Sequence, residues 1–183
     1  MRSGIFMLMA LIIAAIVYSC TNGTGQTNNK RKIVENKILQ QDDGTISLKM
    51  DKADCYSDMV NPASNTAEWN VVVSKSGRFN VWLSSATKDT NDLHYNNSVM
   101  LSIHDKRLEA HPECDKVIHN SKEVTYPYFR ADSFMGSLYI QDTGLYSIQV
   151  ISDKILPKNY KNVESSVVEN TKLISVFLTP TTR

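Results

Sequence analysis

The chain has 183 residues, with 20 Lys and Arg against 19 Asp and Glu and a formal net charge of +1. This length is sufficient for one domain with its own core. The near balance of charge predicts no basic face, so no nucleic-acid partner is expected.

The N-terminus has the pattern of a secretory signal. Arg2 precedes an unbroken apolar run from Ile5 to Val17, which is shorter than the roughly 20 residues that a membrane-spanning helix needs. The following Ser19-Cys20 resembles a bacterial lipobox, in which cleavage leaves the cysteine as the lipidated first residue. We predict a lipoprotein signal peptide at 1–19 and an anchor of the palmitate type on Cys20. An ordinary signal peptide with an unmodified cysteine is the alternative.

Residues 20–43 begin with a polar stretch without apolar periodicity, which indicates a flexible, lipid-anchored tether. The folded domain is predicted at 44–183. Such an anchor holds a domain on the membrane and not through it. Thr21 follows the cysteine and no acidic cluster comes after it, so we expect an outer-membrane anchor in the cell envelope, facing the periplasm in preference to the cell surface.

The region 67–86 has the clearest strand pattern. Apolar residues alternate in two runs, one through Trp69 and Val71 and one through Phe79 and Val81, on either side of a short turn that ends at Gly77. Side chains alternate faces along a strand, so each run offers one apolar face to a core. We predict a β-hairpin here, with Trp69 in the core.

Shorter strand patterns with frequent turn signals fill the rest of the chain. Residues 32–40 fit either an edge strand or a short helix, and 51–66, 87–97 and 108–123 are predicted to be loops, the last with short extended pieces. Further strands are predicted at 45–50, 98–104 and 172–178, with a second hairpin at 136–151. This organisation predicts an all-β sandwich whose shared interior holds Val71, Val81, Leu101 and Ile148.

Two cysteines remain after Cys20 is assigned to the lipid. Cys55 and Cys114 are then the only possible pair, and an oxidising envelope compartment would allow a disulfide between them. Two free, buried thiols are the alternative. Neither cysteine belongs to a motif with zinc-ligand spacing.

Several sequence runs, in this order, resemble the jelly-roll, galactose-binding-like domains that include many carbohydrate-binding modules. They are Trp69-Asn70-Val71-Val72-Val73 continuing through Gly77 to Leu83, Gly136 to Ile140, Gly144 to Val150, and Leu178-Thr179-Pro180. With the lipobox, the chain resembles a Bacteroidetes-like lipoprotein that carries such a domain. The resemblance covers roughly residues 44–180. It implies a jelly-roll β-sandwich of two antiparallel sheets and carbohydrate binding as the expected role.

A sugar site on such a domain needs flat aromatic faces together with oriented polar groups. Trp82, predicted to point away from Phe79 and Leu83, is a candidate stacking platform, with packing under a loop as the alternative. Tyr95 lies on a predicted loop, where binding residues concentrate. The segment with Tyr126, Tyr128, Arg130 and Asp132 combines aromatics with a charged pair. Structural packing at the end of the sandwich is the alternative for that segment.

No cofactor is expected. Related modules often hold a structural calcium ion, and Asp42, Asp43 and Asp51 are candidate ligands by chemistry alone. Because no hydrolase, phosphate-loop or zinc motif is found, we expect a non-catalytic protein. The expected partner is a glycan or an envelope protein. A structural or accessory subunit of an envelope assembly, with no sugar ligand, is the alternative, and a hydrolase without a recognisable motif is a third possibility.

Overall fold

The structure is a computed structural model that describes residues 37–58, 60–156 and 170–181. Within these ranges the chain forms strands and two single turns of 3-10 helix, Met50–Lys52 and Pro62–Ser64. The strands are β1 (Lys37–Leu39), β2 (Ile46–Lys49), β3 (Asp54–Tyr56), β4 (Thr66–Val73), β5 (Gly77–Thr87), β6 (Val99–Ile103), β7 (Lys106–Ala110), β8 (Lys116–Ile118), β9 (Phe129–Ile140), β10 (Gly144–Ile151) and β11 (Thr171–Pro180).

The strands belong to two sheets. The first has the order β1-β4-β10-β6-β7, with β3 also paired to β4, and the second has the order β2-β11-β5-β9-β8. All pairings are antiparallel except that of β1 with β4, which is parallel. The predicted all-β sandwich is confirmed.

The interior of the sandwich is built from every second residue of the strands, as the periodicity predicts. Val71, Val81, Leu101 and Ile148 are each at most 1% exposed and belong to one apolar cluster. Trp69 is 1% exposed, and its indole Nε1 donates a hydrogen bond to the carbonyl of Lys49 at 2.8 Å. Its predicted place in the core is confirmed.

The two predicted hairpins are wrong. β4 lies in the first sheet and β5 in the second, so residues 74–76 cross the sandwich and do not reverse the chain within one sheet. Residues 141–143 also cross the sandwich, because β9 lies in the second sheet and β10 in the first. The physical reason is that alternation shows which face of a strand is buried but not which strand lies beside it.

Gln40 joins the crossing at residues 74–76 to a third crossing, the link from β1 in the first sheet to β2 in the second. Its side-chain oxygen accepts hydrogen bonds from the backbone N–H groups of Ser74 and Lys75 at 2.9 and 2.7 Å. Its nitrogen donates to the carbonyl of Gly44 at 2.7 Å. Together with β1, these contacts place residues 37–40 in the folded domain. The predicted tether of 20–43 therefore extends too far, because it includes a strand that pairs with β4.

The predicted disulfide is absent. Cys55 lies on β3 in the first sheet, whereas Cys114 precedes β8 at the edge of the second, and no bond joins them. Both side chains are partly buried, and burial, reinforced by the charges of Asp115 and Asp132, raises the pKa of the Cys114 thiol. The alternative of two thiols describes this structure.

The predicted signal peptide and the Cys20 anchor lie outside the described residues. In the part of the chain that is described, no helix combines the length and the apolar character needed to cross a bilayer.

Candidate functional site

Three aromatic side chains form a row across the outer face of the second sheet. Trp82 of β5 is paired with Phe177 of β11 on one side and with Phe134 of β9 on the other. The rings of Trp82 and Phe177 are parallel to within 6°, with centroids 6.3 Å apart. The ring of Phe134 is tilted by 54°, with its centroid 5.2 Å from that of Trp82. We refer to Phe177, Trp82 and Phe134 as the aromatic row.

The row faces away from the core. Val81 and Leu83, the neighbours of Trp82 in the sequence, are buried between the sheets. Since consecutive side chains of a strand point to opposite faces, Trp82 points outward. It is half-buried, while Phe134 is 45% exposed. Aromatic rings on the outer side of a sheet provide an apolar surface that a ligand can cover.

Irregularities in strand pairing place the two outer rings of the row. The register of β11 with β5 shifts between Leu173 and Ser175, so Val176 is buried and Phe177 points outward. The register of β9 with β5 shifts next to Trp82, which brings Phe134 opposite it. A bulge adds one residue and so changes which positions face the core. If side chains alternated strictly between the two faces from the buried Leu173 onward, Phe177 would point inward.

A charged network lies beside the row. Arg130 donates from Nε and Nη2 to the two carboxylate oxygens of Asp132 at 2.8 and 3.1 Å, and from Nη1 to Glu123 at 2.6 Å. Asp132 also accepts a hydrogen bond from the hydroxyl of Ser84 at 2.7 Å. The side chain of Asp132 is only 6% exposed. The predicted charged pair is therefore part of a largely buried network.

This network supports one end of the row. Burial disfavours the charged form of Arg130, but the hydrogen bonds and charges of Asp132 and Glu123 raise the pKa of the guanidinium above its ordinary value. Arg130 is therefore a permanent cation. Its guanidinium carbon lies 5.5 Å from the centroid of the Phe177 ring, within the range of a cation–π contact.

Small polar groups border the other side of the row. Asn80, two residues before Trp82, is paired with Ser137 of β9 and Thr179 of β11. The hydroxyl of Ser137 donates to the side-chain oxygen of Asn80 at 2.6 Å. Among the described residues, the side-chain N–H groups of Asn80 have no acceptor. Amide and hydroxyl groups beside a flat apolar surface can orient a polar ligand.

Tyr128 lies near the end of the same sheet, close to two lysines. The Nζ atoms of Lys88 and Lys172 lie 5.2 and 5.3 Å from the centroid of its ring. Lys172 is paired with Ala86, four residues beyond Trp82 along β5. Tyr126 is 92% exposed on the loop that precedes β9.

The structure corrects the placement of Tyr95. The sequence placed it on an accessible loop, but it is 5% exposed, and its hydroxyl shares a hydrogen bond with that of Ser85 at 2.8 Å. Burial raises the pKa of Tyr95 well above its ordinary value. The ring packs into the core cluster and has no face available to a ligand.

The structure therefore brings together three of the six predicted residues, Trp82, Arg130 and Asp132. Sequence reasoning missed Phe134 and Phe177. The only available signal was their aromatic character, Phe177 within a predicted strand and Phe134 just before one, because their outward direction depends on the two register shifts.

The calcium candidates do not converge. Asp42 and Asp43 precede β2 and Asp51 follows it. The carboxylate of Asp43 accepts a hydrogen bond from the backbone N–H of Thr45 at 2.8 Å, which stabilises the local turn. Across the described ranges, no group of three or more His, Cys, Asp or Glu side chains is arranged to hold a metal ion.

No protein-family model matches the chain, and no curated protein is found to be similar to it. Among solved structures, part of an α-L-fucosidase from Vibrio sp. strain EJY3 is similar, with a TM-score of 0.60 and 20% identity over 79% of this chain and 24% of that chain. A Podospora anserina GH26-CBM35 β-(1,4)-mannanase has a TM-score of 0.46 and 11% identity, over 77% of this chain and 28% of that one. The chain thus spans about a quarter of the length of these proteins. The similarity to the fucosidase shows a shared sandwich fold.

Proposed function

We propose that this protein is a non-catalytic carbohydrate-binding protein, held at the cell envelope by a lipid on Cys20. The observation that carries the proposal is the aromatic row of Phe177, Trp82 and Phe134 on the outer face of the second sheet. The apolar C–H face of a pyranose ring packs on such rings, and its hydroxyls require polar groups at the border.

The dimensions of the row suit a short oligosaccharide. The three rings come from adjacent strands, which are spaced by about 4.8 Å, so the row extends over about 10 Å. This length exceeds a single sugar ring. Asn80 and Ser137 at one border supply amide and hydroxyl groups to hydrogen-bond sugar hydroxyls.

The known proteins support this proposal through the fold. Part of an enzyme described as an α-L-fucosidase has the same sandwich at a TM-score of 0.60.

Both carboxylates beside the row, Asp132 and Glu123, are ion-paired with Arg130. Their positions are explained by this network, and we assign them no catalytic step.

The test is binding of the folded domain to an array of plant, mucin and bacterial glycans, followed by calorimetry on the best ligand. We expect Trp82→Ala and Phe134→Ala each to weaken binding by about tenfold or more, because each removes a stacking face. Tyr56→Ala is the matched control, since Tyr56 is an exposed aromatic residue of the first sheet. A blank array, or equal losses in all three variants, would overturn the proposal.

A further inference from the structure

A cluster of lysines lies at the end of the second sheet, beyond the aromatic row. Lys172 is paired with Ala86, which shares the outer face of β5 with Trp82. Four residues of a strand separate Ala86 from Trp82, a distance of about 13 Å. Lys88 follows the end of β5 and flanks the Tyr128 ring on which Lys172 also lies. The part of the sheet that carries these lysines is therefore about 13 Å from the row along β5.

A cavity of about 560 Å³ adjoins this cluster. Three lysines contribute to its lining, Lys49, Lys122 and Lys172. Its apolar wall includes Met50, Leu173 and Ile174. The cavity thus combines an apolar wall with positive charge, on the side of the sheet where the charged network is located.

The positive charge of this region is only partly balanced by carboxylates. Glu123 lines the cavity, but its carboxylate is already ion-paired with Arg130 at 2.6 Å and with Lys49 at 3.3 Å. Asp51 is the other carboxylate of the lining. Within the described ranges, Lys88, Lys122 and Lys172 form no ion pair with any carboxylate. Lys88 and Lys172 share the Tyr128 ring, and Lys122 and Lys172 share the cavity. Ammonium groups that form no ion pair favour an anionic ligand.

We propose that the ligand is an acidic glycan, whose neutral ring faces cover the aromatic row while a carboxylate or sulfate group lies at Lys88, Lys122 and Lys172. This inference rests on the proposed carbohydrate binding and adds the chemical class of the sugar. An exposed ammonium cluster is screened by salt, so binding weakens as the ionic strength rises.

The test uses matched glycans that differ only in charge. The probes are polygalacturonate with its neutral methyl ester, and sulfated fucan with its desulfated form, each measured by calorimetry at about 0.1 M and about 1 M salt. Between these salt concentrations the screening length falls from about 10 Å to about 3 Å. We expect the acidic member of at least one pair to bind about tenfold or more tightly than its neutral counterpart at the lower salt concentration.

Lysine variants locate the effect. The double variant Lys122→Gln/Lys172→Gln should lose most of the preference for the acidic glycan, and Lys172→Arg should retain it because the charge is kept. Lys106→Gln is the matched control, since Lys106 begins β7 in the first sheet. The neutral glycan should bind the double variant and the unaltered protein equally.

Three results would overturn this inference, and they differ in whether the proposed carbohydrate binding is also overturned. Equal binding of acidic and neutral glycans that still depends on Trp82 would end the inference and leave the proposed function intact. No binding to any member of either pair or to the array would end both. Binding to vesicles of anionic phospholipid that requires the lysines but not Trp82 would replace the acidic glycan by a lipid surface.

Discussion

At the residue scale, the side chain of Gln40 connects two links between the sheets. It lies just after β1, is largely buried, and hydrogen-bonds the backbone of two separate crossings between the sheets. We expect Gln40→Ala to lower the free energy of unfolding by about 2 kcal/mol or more, because it leaves the N–H groups of Ser74 and Lys75 without their acceptor.

Urea unfolding measures this loss. Gln41→Ala is the control, since Gln41 is the exposed neighbour and its side chain makes no hydrogen bond to a described residue. Equal midpoints for the two variants would show that the contacts of Gln40 add nothing to stability.

Tyr95 gives a prediction about alkaline pH. Its pKa is raised in the folded protein by burial, so the unfolded chain loses the phenol proton first. Its contribution to stability is complete below the unfolded pKa of about 10 and declines above it, by about 1.4 kcal/mol per pH unit.

We therefore expect Tyr95→Phe to reduce the fall in unfolding free energy between pH 9 and 11, values chosen to lie about one unit either side of the unfolded pKa. The variant should also be less stable at neutral pH, because the hydrogen bond to Ser85 is lost. Tyr126→Phe, at a position that is 92% exposed, should leave the pH dependence unchanged. The same slope in all three proteins would contradict a buried, neutral Tyr95.

At the element scale, the bulge in β11 determines the face on which Phe177 lies. Leu173 is paired with Ser85 and Ser175 with Ser84, so Ile174 is the extra residue. Deleting Ile174 should give a regular ladder with every later side chain on its present face. We expect a change in unfolding free energy within about 1–2 kcal/mol.

Deleting Val176 is the matched test. The ladder then closes only if Ser175 takes the buried position opposite Leu83, which exchanges a core valine for a hydroxyl. This exchange should cost at least about 2 kcal/mol more than the deletion of Ile174. If the two deletions cost the same in urea unfolding, Ile174 is not the inserted residue.

At the scale of the whole molecule, the lipid anchor is the remaining prediction. In a bacterial host we expect the full chain to incorporate labelled palmitate and to fractionate with membranes, because several acyl chains together anchor a protein firmly. Cys20→Ala should lose the label, whereas Cys55→Ala and Cys114→Ala should keep it. Label retained in Cys20→Ala would exclude this anchor.

The sequence by itself determined which face of several strands is buried. Two-residue periodicity is a local property, and it identified the buried faces of β4, β5, β6 and β10 before any partner strand was known. The same reasoning placed Trp69 in the core and directed Trp82 outward.

Only the tertiary structure decided which strands are neighbours and what surrounds Trp82. The links after β4 and β9 cross between the sheets, since a buried face packs equally well on a strand of either sheet. Phe134 and Phe177 join Trp82 because each pairing contains one extra residue, and the position of a bulge depends on the partner strand. Tyr95 is buried because its loop packs on core residues that are distant in the sequence. Local periodicity does not show such contacts.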